Sequence, residues 1–365
     1  MGGGELEPVR VERSIEALAP EWDQLADRLG SPPFLRPGWF SVWWQAFGTG
    51  ELELIVLRRN GQLAGVLPLE RRRGVLRGLA NYHSPGFGAI TEDRLALGAL
   101  CERAAVRARR RLSLALIDTT GPFMAEAAAA AALTGRRVLT RPMQRTPEIE
   151  IAGDWEAYLA GLAGGFRKEL RRLRRRLEEL GSVDFEVSDG HTDLDGRLGE
   201  LFTVEATGWK AELGTAIASR PETHRFYQEL ARWASRRGAL RLLVLRLDGE
   251  AIAFDYALEA EGVRYMLKGG FDPRYARVSP GILLLQDGLR HAFESGVARV
   301  ELGGGADSYK LRWSTAVRER DLLQAFPLNP IGFLDWMAFA VGRPLVTRLL
   351  RDRSGVEPAR DGLAA

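Results

Sequence analysis

One carboxylate interrupts an otherwise apolar strand, Asp255 in Ala251-Ile252-Ala253-Phe254-Asp255-Tyr256-Ala257-Leu258. Taking a carboxylate out of water costs free energy unless it is paired, hydrogen-bonded or protonated. The position therefore points either to an ion pair or to a base whose raised pKa suits it to accept a proton. The candidate partner is Lys268, an isolated cation in the following strand, Val263 to Gly269. Downstream, Ser279-Pro280-Gly281-Ile282 reads as a helix start, with serine at the N-cap, proline at the first helical position and a glycine that lets another group approach the backbone. The amide groups and positive dipole end of such a start suit an anion such as a pyrophosphate, and Arg274 and Arg277 just before it could add charge. A plain helix cap would use the same residues. Tyr309 and Lys310 follow the turn Gly303-Gly304-Gly305 at the end of a strand, where ligands of α/β sheets bind. Tyrosine there could protonate a leaving group and lysine could hold a phosphate or carboxylate. The alternative is an ordinary helix start with Asp307 as its cap and Tyr309 and Trp313 as packing residues.

These residues must be positioned by a framework, and the chain repeats that framework. Residues 52–74, LELIVLRRNGQLAGVLPLERRRG, align without a gap on residues 240–262, LRLLVLRLDGEAIAFDYALEAEG. Each copy has an alternating apolar strand, then Asn60-Gly61 or Asp248-Gly249, then a second apolar run; that dipeptide marks a two-residue hairpin because both turn positions need positive φ. Leu67 stands in the first copy where Asp255 stands in the second. A helix precedes each hairpin (Trp39 to Phe47 and Thr223 to Arg237). Ser84-Pro85-Gly86 and Ser279-Pro280-Gly281 lie after them, followed by helical stretches Arg94 to Arg110 and Ile282 to Ser295 and by strands Leu112 to Ile117 and Ala298 to Leu302. The expected fold class is α/β, two copies of a mixed sheet flanked by helices. The expected divisions are residues 1–146, residues 147–327 carrying the site, and residues 328–365 as an amphipathic helix (Ile331 to Leu350) with a frayed tail.

The composition narrows the setting. At 365 residues, 45% hydrophobic and 27% charged, the chain reads as globular with two domains. One cysteine, Cys101, allows no internal disulfide. No basic-then-apolar leader opens the sequence and no apolar stretch is long enough for a transmembrane segment, so the cytoplasm is the expected location. Four scattered histidines give no metal motif, so no metal is expected. The net charge is +3, but seven Arg or Lys fall between Arg167 and Arg176, on a helix whose apolar seam is Phe166, Leu170, Leu173, Leu177 and Leu180, ended by Gly181. That face reads as the wall of an anionic ligand, including peripheral contact with a membrane, or as a solvated surface; no aromatics interleave with the arginines, so DNA is not expected.

Taken in order, Phe166-Arg167-Lys168, Trp209-Lys210 with Gly214-Thr215-Ala216, the hairpin Gly249 to Asp255, Phe271-Asp272-Pro273-Arg274-Tyr275-Ala276, Ser279-Pro280-Gly281 and Tyr309-Lys310 with Trp313 resemble the BioF2-like or CelD-like acyltransferases of the GNAT superfamily, relatives of the FemABX aminoacyltransferases. The resemblance implies two tandem GNAT-like domains and transfer of an acyl group from acyl-CoA, acetyl-CoA first, to an amine of a small-molecule or sugar-linked acceptor. It places Asp255, Lys268 and Tyr309 in catalysis, Arg274, Arg277, Ser279, Gly281 and Ile282 at the donor, and Trp209, Lys210, Tyr256 and Lys310 at the acceptor. The usual GNAT loop, Gln/Arg-x-x-Gly-x-Gly/Ala, is not reproduced, since three residues separate Arg277 from Gly281 and no second glycine follows. The alternatives are a FemX-like transferase using aminoacyl-tRNA and a non-catalytic scaffold in envelope or polysaccharide assembly.

Overall fold

The computed structural model describes residues 6–206 and 220–342. The chain forms two compact units, one of residues 1–44, 48–144 and 319–365, the other of residues 45–47 and 145–318. In chain order the elements are β1 (Arg10–Glu12), α1 (Ile15–Arg28), α2 (Pro37–Phe47), β2 (Glu51–Arg59), β3 (Gln62–Arg72), β4 (Val75–Gly78), β5 (Ile90–Thr91), α3 (Arg94–Arg107), β6 (Arg111–Asp118), α4 (Pro122–Leu133) and β7 (Arg136–Glu150). There follow α5 (Trp155–Gly161), α6 (Gly164–Glu178), β8 (Val183–Ser188), α7 (Leu194–Ala206), α8 (Pro221–Arg236), β9 (Leu240–Leu247), β10 (Glu250–Ala260) and β11 (Val263–Phe271). The remainder is α9 (Pro280–Glu294), β12 (Arg299–Glu301), α10 (Ser308–Leu311), β13 (Ala316–Pro327) and α11 (Pro330–Met337).

The duplication is visible in the strands. Within the first unit the order is β1-β2-β3-β4-β6-β13, and within the second it is β8-β9-β10-β11-β12-β7. In both, an antiparallel meander ends on a parallel pair, β4 with β6 and β11 with β12, and an antiparallel strand closes the sheet. Asn60 and Gly61 have φ of 51° and 78°, and Asp248 and Gly249 have 49° and 82°, the left-handed pair that a tight hairpin needs. The closing strands are exchanged along the chain: β13 lies, from Glu319, in the first unit, and the Arg145–Glu150 end of β7 lies in the second. The expected contiguous domain of residues 147–327 thus gives up its last strand to the other unit, and the expected division between residues 146 and 147 falls inside β7.

Both faces of the second sheet are covered, which is why its strands read as near-continuous apolar runs. On one side α6 lays Leu173 and Leu177 against Leu243, Leu245 and Ile252 of the sheet and Leu283 of α9. Phe166 and Leu170 join a neighbouring cluster around Trp313, Leu289 and Val300. Each such buried side chain contributes about 1.5–3 kcal/mol. Leu180 is 55% exposed and outside this seam. Gly181 is not the left-handed helix stop expected of it: α6 ends at Glu178, and a Cβ at Gly181 would lie 2.3 Å from the Asp248 carboxylate, so this glycine makes room for the hairpin.

Candidate active site

Strands β11 and β12 pair in parallel over only three positions, Val263–Arg299, Arg264–Val300 and Tyr265–Glu301. Beyond Tyr265 they part, and the gap becomes a cavity of about 570 Å³ that reaches the first turn of α9. Glu205, Asp255, Lys268, Ser279, Gly281 and Tyr309 are among its walls. The carboxylate of Asp255 is positioned by register: it stands opposite Leu243 on one side and Gly269 on the other. A Cβ on Gly269 would come 2.1 Å from Asp255 Oδ1, and one on Gly270 would press on Phe254 and Glu205. Two successive glycines in a strand interior weaken it; here they leave the space in which the carboxylates sit.

Lys268 stands opposite Tyr256 in the sheet, one position from the Asp255–Gly269 pair. Its ammonium forms an ion pair with Glu205 at the end of α7, 3.2 Å away. Glu205 is 1% exposed. Sequence reasoning missed it, because in Leu198-Gly199-Glu200-Leu201-Phe202-Thr203-Val204-Glu205 it looks like one more glutamate on a helix surface.

Tyr309 is 42% exposed as a residue, yet its hydroxyl is desolvated. That burial, then the negative charges of Asp255 and Asp307, pushes its pKa well above the usual 10. The phenol is thus a protonated group at the cavity wall. Lys310 is committed to structure: its ammonium donates to the Gly303 carbonyl at 2.9 Å and pairs with Asp307 at 3.3 Å, holding the glycine turn that borders the cavity.

The helix start departs from expectation in detail. Ser279 has φ 50° and ψ 57°, and its side chain makes no capping bond. A left-handed non-glycine residue is strained by about 1–3 kcal/mol. The Ile282 and Leu283 amides donate back to the Ser279 carbonyl at 3.0 and 3.3 Å, and Pro280 has no N–H, so the Gly281 amide is the first-turn donor outside that arrangement. Arg274 is not among the residues that line the cavity. Asp272 and Glu250 take its guanidinium at 2.6 and 2.5 Å, and these bonds raise its pKa further. Arg277 is exposed, with no ion pair among the described residues.

Two other expectations are corrected or fall outside. Tyr256 is fully buried and donates its hydroxyl to the Tyr227 carbonyl at 3.3 Å; burial drives its pKa far up, and it packs in the core rather than lining the acceptor side. Trp209 and Lys210 lie outside the described residues. Trp313 is core, edge-on to Phe166 at 4.8 Å. On α6, Arg174 is tied to Asp287 at 2.6 Å, while Lys168, Arg171, Arg172, Arg175 and Arg176 are exposed. Among the described residues no group of His, Cys, Asp and Glu could hold a metal ion, and no helix is long and apolar enough to cross a membrane.

The profile of the acetyltransferase (GNAT) domain matches residues 164–311, which take in α6, β8 to β12 and the cavity. No curated protein is similar to the chain in sequence. Among solved structures, FemX superposes with a TM-score of 0.58 at 12% identity, over 92% of this chain and 99% of that one. The C-terminal domain of a protein assigned as a lysylphosphatidylglycerol synthetase from Agrobacterium fabrum gives 0.55 at 15%, over 91% and 97%. A conserved protein of unknown function from Bacteroides thetaiotaomicron gives 0.53 at 10%, over 87% and 99%. At such identities the likeness concerns the fold, and it extends over both units.

Proposed function

The chain is an acyltransferase of the GNAT superfamily, and we propose that its second unit moves an acyl group, acetyl in the simplest case, from acyl-CoA to the amine of a polar, sugar-linked or envelope-related acceptor. The observation that carries this reading is the parting of β11 from β12. It gathers two carboxylates, an ammonium and a phenol around one cavity at the start of a helix. The glycines of β11, with Met266, Ile282 and Leu302, make a slot suited to an unbranched thioester arm. The Gly281 amide, the dipole of α9 and Arg277 are the groups left to meet the donor's phosphates.

Direct attack by an amine requires two proton movements. The amine gives one up, and Asp255 and Glu205 are the carboxylates placed to take it; Lys268 fixes Glu205 in the wall. The departing thiolate needs one, and Tyr309 holds it, because its hydroxyl stays protonated beyond pH 10. Positioned acid–base groups of this kind contribute about 10²–10⁴-fold each.

A thermal-shift series with acetyl-CoA, longer acyl-CoAs and free CoA tests the donor. A ligand at 100 times its Kd adds about 2.7 kcal/mol, and thiol release on adding amines then identifies the acceptor. A second reading rests on the five exposed cations of α6 and the departure from the usual phosphate loop, and makes aminoacyl-tRNA the donor. Absence of any shift with CoA compounds, together with salt-dependent tRNA binding, would decide for it.

A further inference from the structure

Helix α11 is built inside out. A surface helix normally turns its apolar residues to the core and its charges to water. Here the buried residues are Gly332 and Asp335, while Ile331 is 65% exposed, Leu334 68% and Met337 38%. Leu328, three residues ahead of Ile331, is 68% exposed, and Val341, four residues past Met337, is 42% exposed. Within the helix, Ile331, Leu334 and Met337 recur every three residues and so lie along one face.

The inward side is held by charge. Asp335 receives Arg110 through two bonds of 2.8 and 2.6 Å, and Arg111 approaches at 3.4 Å. Arg137 lies over the Trp336 ring at 4.3 Å and near Phe333 at 5.5 Å. Asn329 caps the helix by accepting from the Gly332 amide at 2.8 Å. A helix fixed by ion pairs and cation–π contacts, with its leucines turned outward, has spent its polar side on the protein and kept its apolar side for another medium.

Charge identifies that medium. Asp335 is the one acidic residue between 328 and 342, and it faces inward, so the outward face carries no carboxylate. The sequence continues with Arg343, Arg348, Arg351 and Arg353 against Asp352, among Leu345, Val346, Leu349 and Leu350. Apolar residues flanked by arginines partition to the boundary between anionic headgroups and acyl chains. A two-fold contact between copies of the chain would set the same patch against itself, arginines to arginines. We propose that α11 seats the chain on a membrane surface containing anionic phospholipid, with Leu328, Ile331, Leu334 and Met337 entering the interface. The helix is about 12 Å long, so it lies on the bilayer and does not cross it.

Flotation of the full chain with phosphatidylcholine vesicles, with and without phosphatidylglycerol, is the test. Binding to the anionic vesicles, weakened by salt, is expected. Ile331→Glu combined with Leu334→Glu should lower the bound fraction at least about tenfold without lowering Tm, since both side chains are exposed. Arg351→Gln with Arg353→Gln should weaken binding to the anionic vesicles only. Equal binding of wild type and the Glu variant would overturn the proposal, as would a wild-type dimer that the Glu variant converts to monomers in light scattering.

Discussion

The two units share a strand order and a hairpin, and differ in what they do where the parallel strands part. In the second unit the gap past Tyr265 is the cavity. In the first, β4 leaves β6 after Arg77–Ser113, and the vacated edge is taken by Phe87, whose amide donates to the Leu116 carbonyl at 3.0 Å. Its ring lies over Gly78, where a Cβ would meet it at 2.6 Å, and it is 5% exposed among Phe40 and Phe123. Leu67, fully buried, holds the place of Asp255. Even the shared cross-strand ion pair is inverted: Glu53 with Arg71 in the first copy corresponds to Arg241 with Glu259 in the second. The same backbone therefore serves either as a filled core or as an open site, and a handful of side chains at one strand gap decides which.

Asp255→Leu imposes the first copy's residue on the second. It should cut acyl transfer by about 10²–10⁴-fold with Tm unchanged or raised, since a carboxylate is exchanged for an apolar side chain; a retained rate passes the base role to Glu205. Phe87→Ala does the reverse by unplugging the first unit. It should cost about 3–5 kcal/mol in denaturant unfolding while donor binding persists below the transition; a loss under about 1 kcal/mol would refute the plug. The third contrast concerns Glu53. Burial raises its pKa, but hydrogen bonds from Arg71 and Arg107 outweigh that and hold it at about 2. A lowered folded pKa stabilises above the unfolded value of 4.5 and loses that stability as pH falls toward 2. Acid titration of stability should therefore lose about 3 kcal/mol over that window, and Glu53→Gln should flatten this part of the profile.

The hairpins, the helix seam of α6 and the duplication were legible because each rests on local chemistry: a dipeptide that tolerates positive φ, or apolar residues at helical spacing. Asp255 and Tyr309 stood out as polar groups in apolar or strand-end contexts, and both line the cavity. Tyr256 could not be sorted, since in a sheet covered on both faces the alternation does not say which side meets the gap. Arg274 looked like a phosphate ligand, but the fold brings Glu250, at the start of the neighbouring strand, to its guanidinium. The exchange of closing strands was invisible for a related reason, as pairing across more than a hundred residues leaves no mark in either strand. Ser84-Pro85-Gly86, which echoes the donor-side turn, opens no helix: α3 begins at Arg94, capped by Asp93.

That exchange has a consequence for synthesis. The first unit needs Glu319–Pro327 to finish its sheet, so a ribosome must make nearly the whole chain before the N-terminal half can complete its fold. The second unit has its closing strand in hand from Arg145 onward. Vectorial order and folding order therefore run opposite ways, and stopping translation after residue 318 would release a protein whose second half is complete and whose first half lacks an edge.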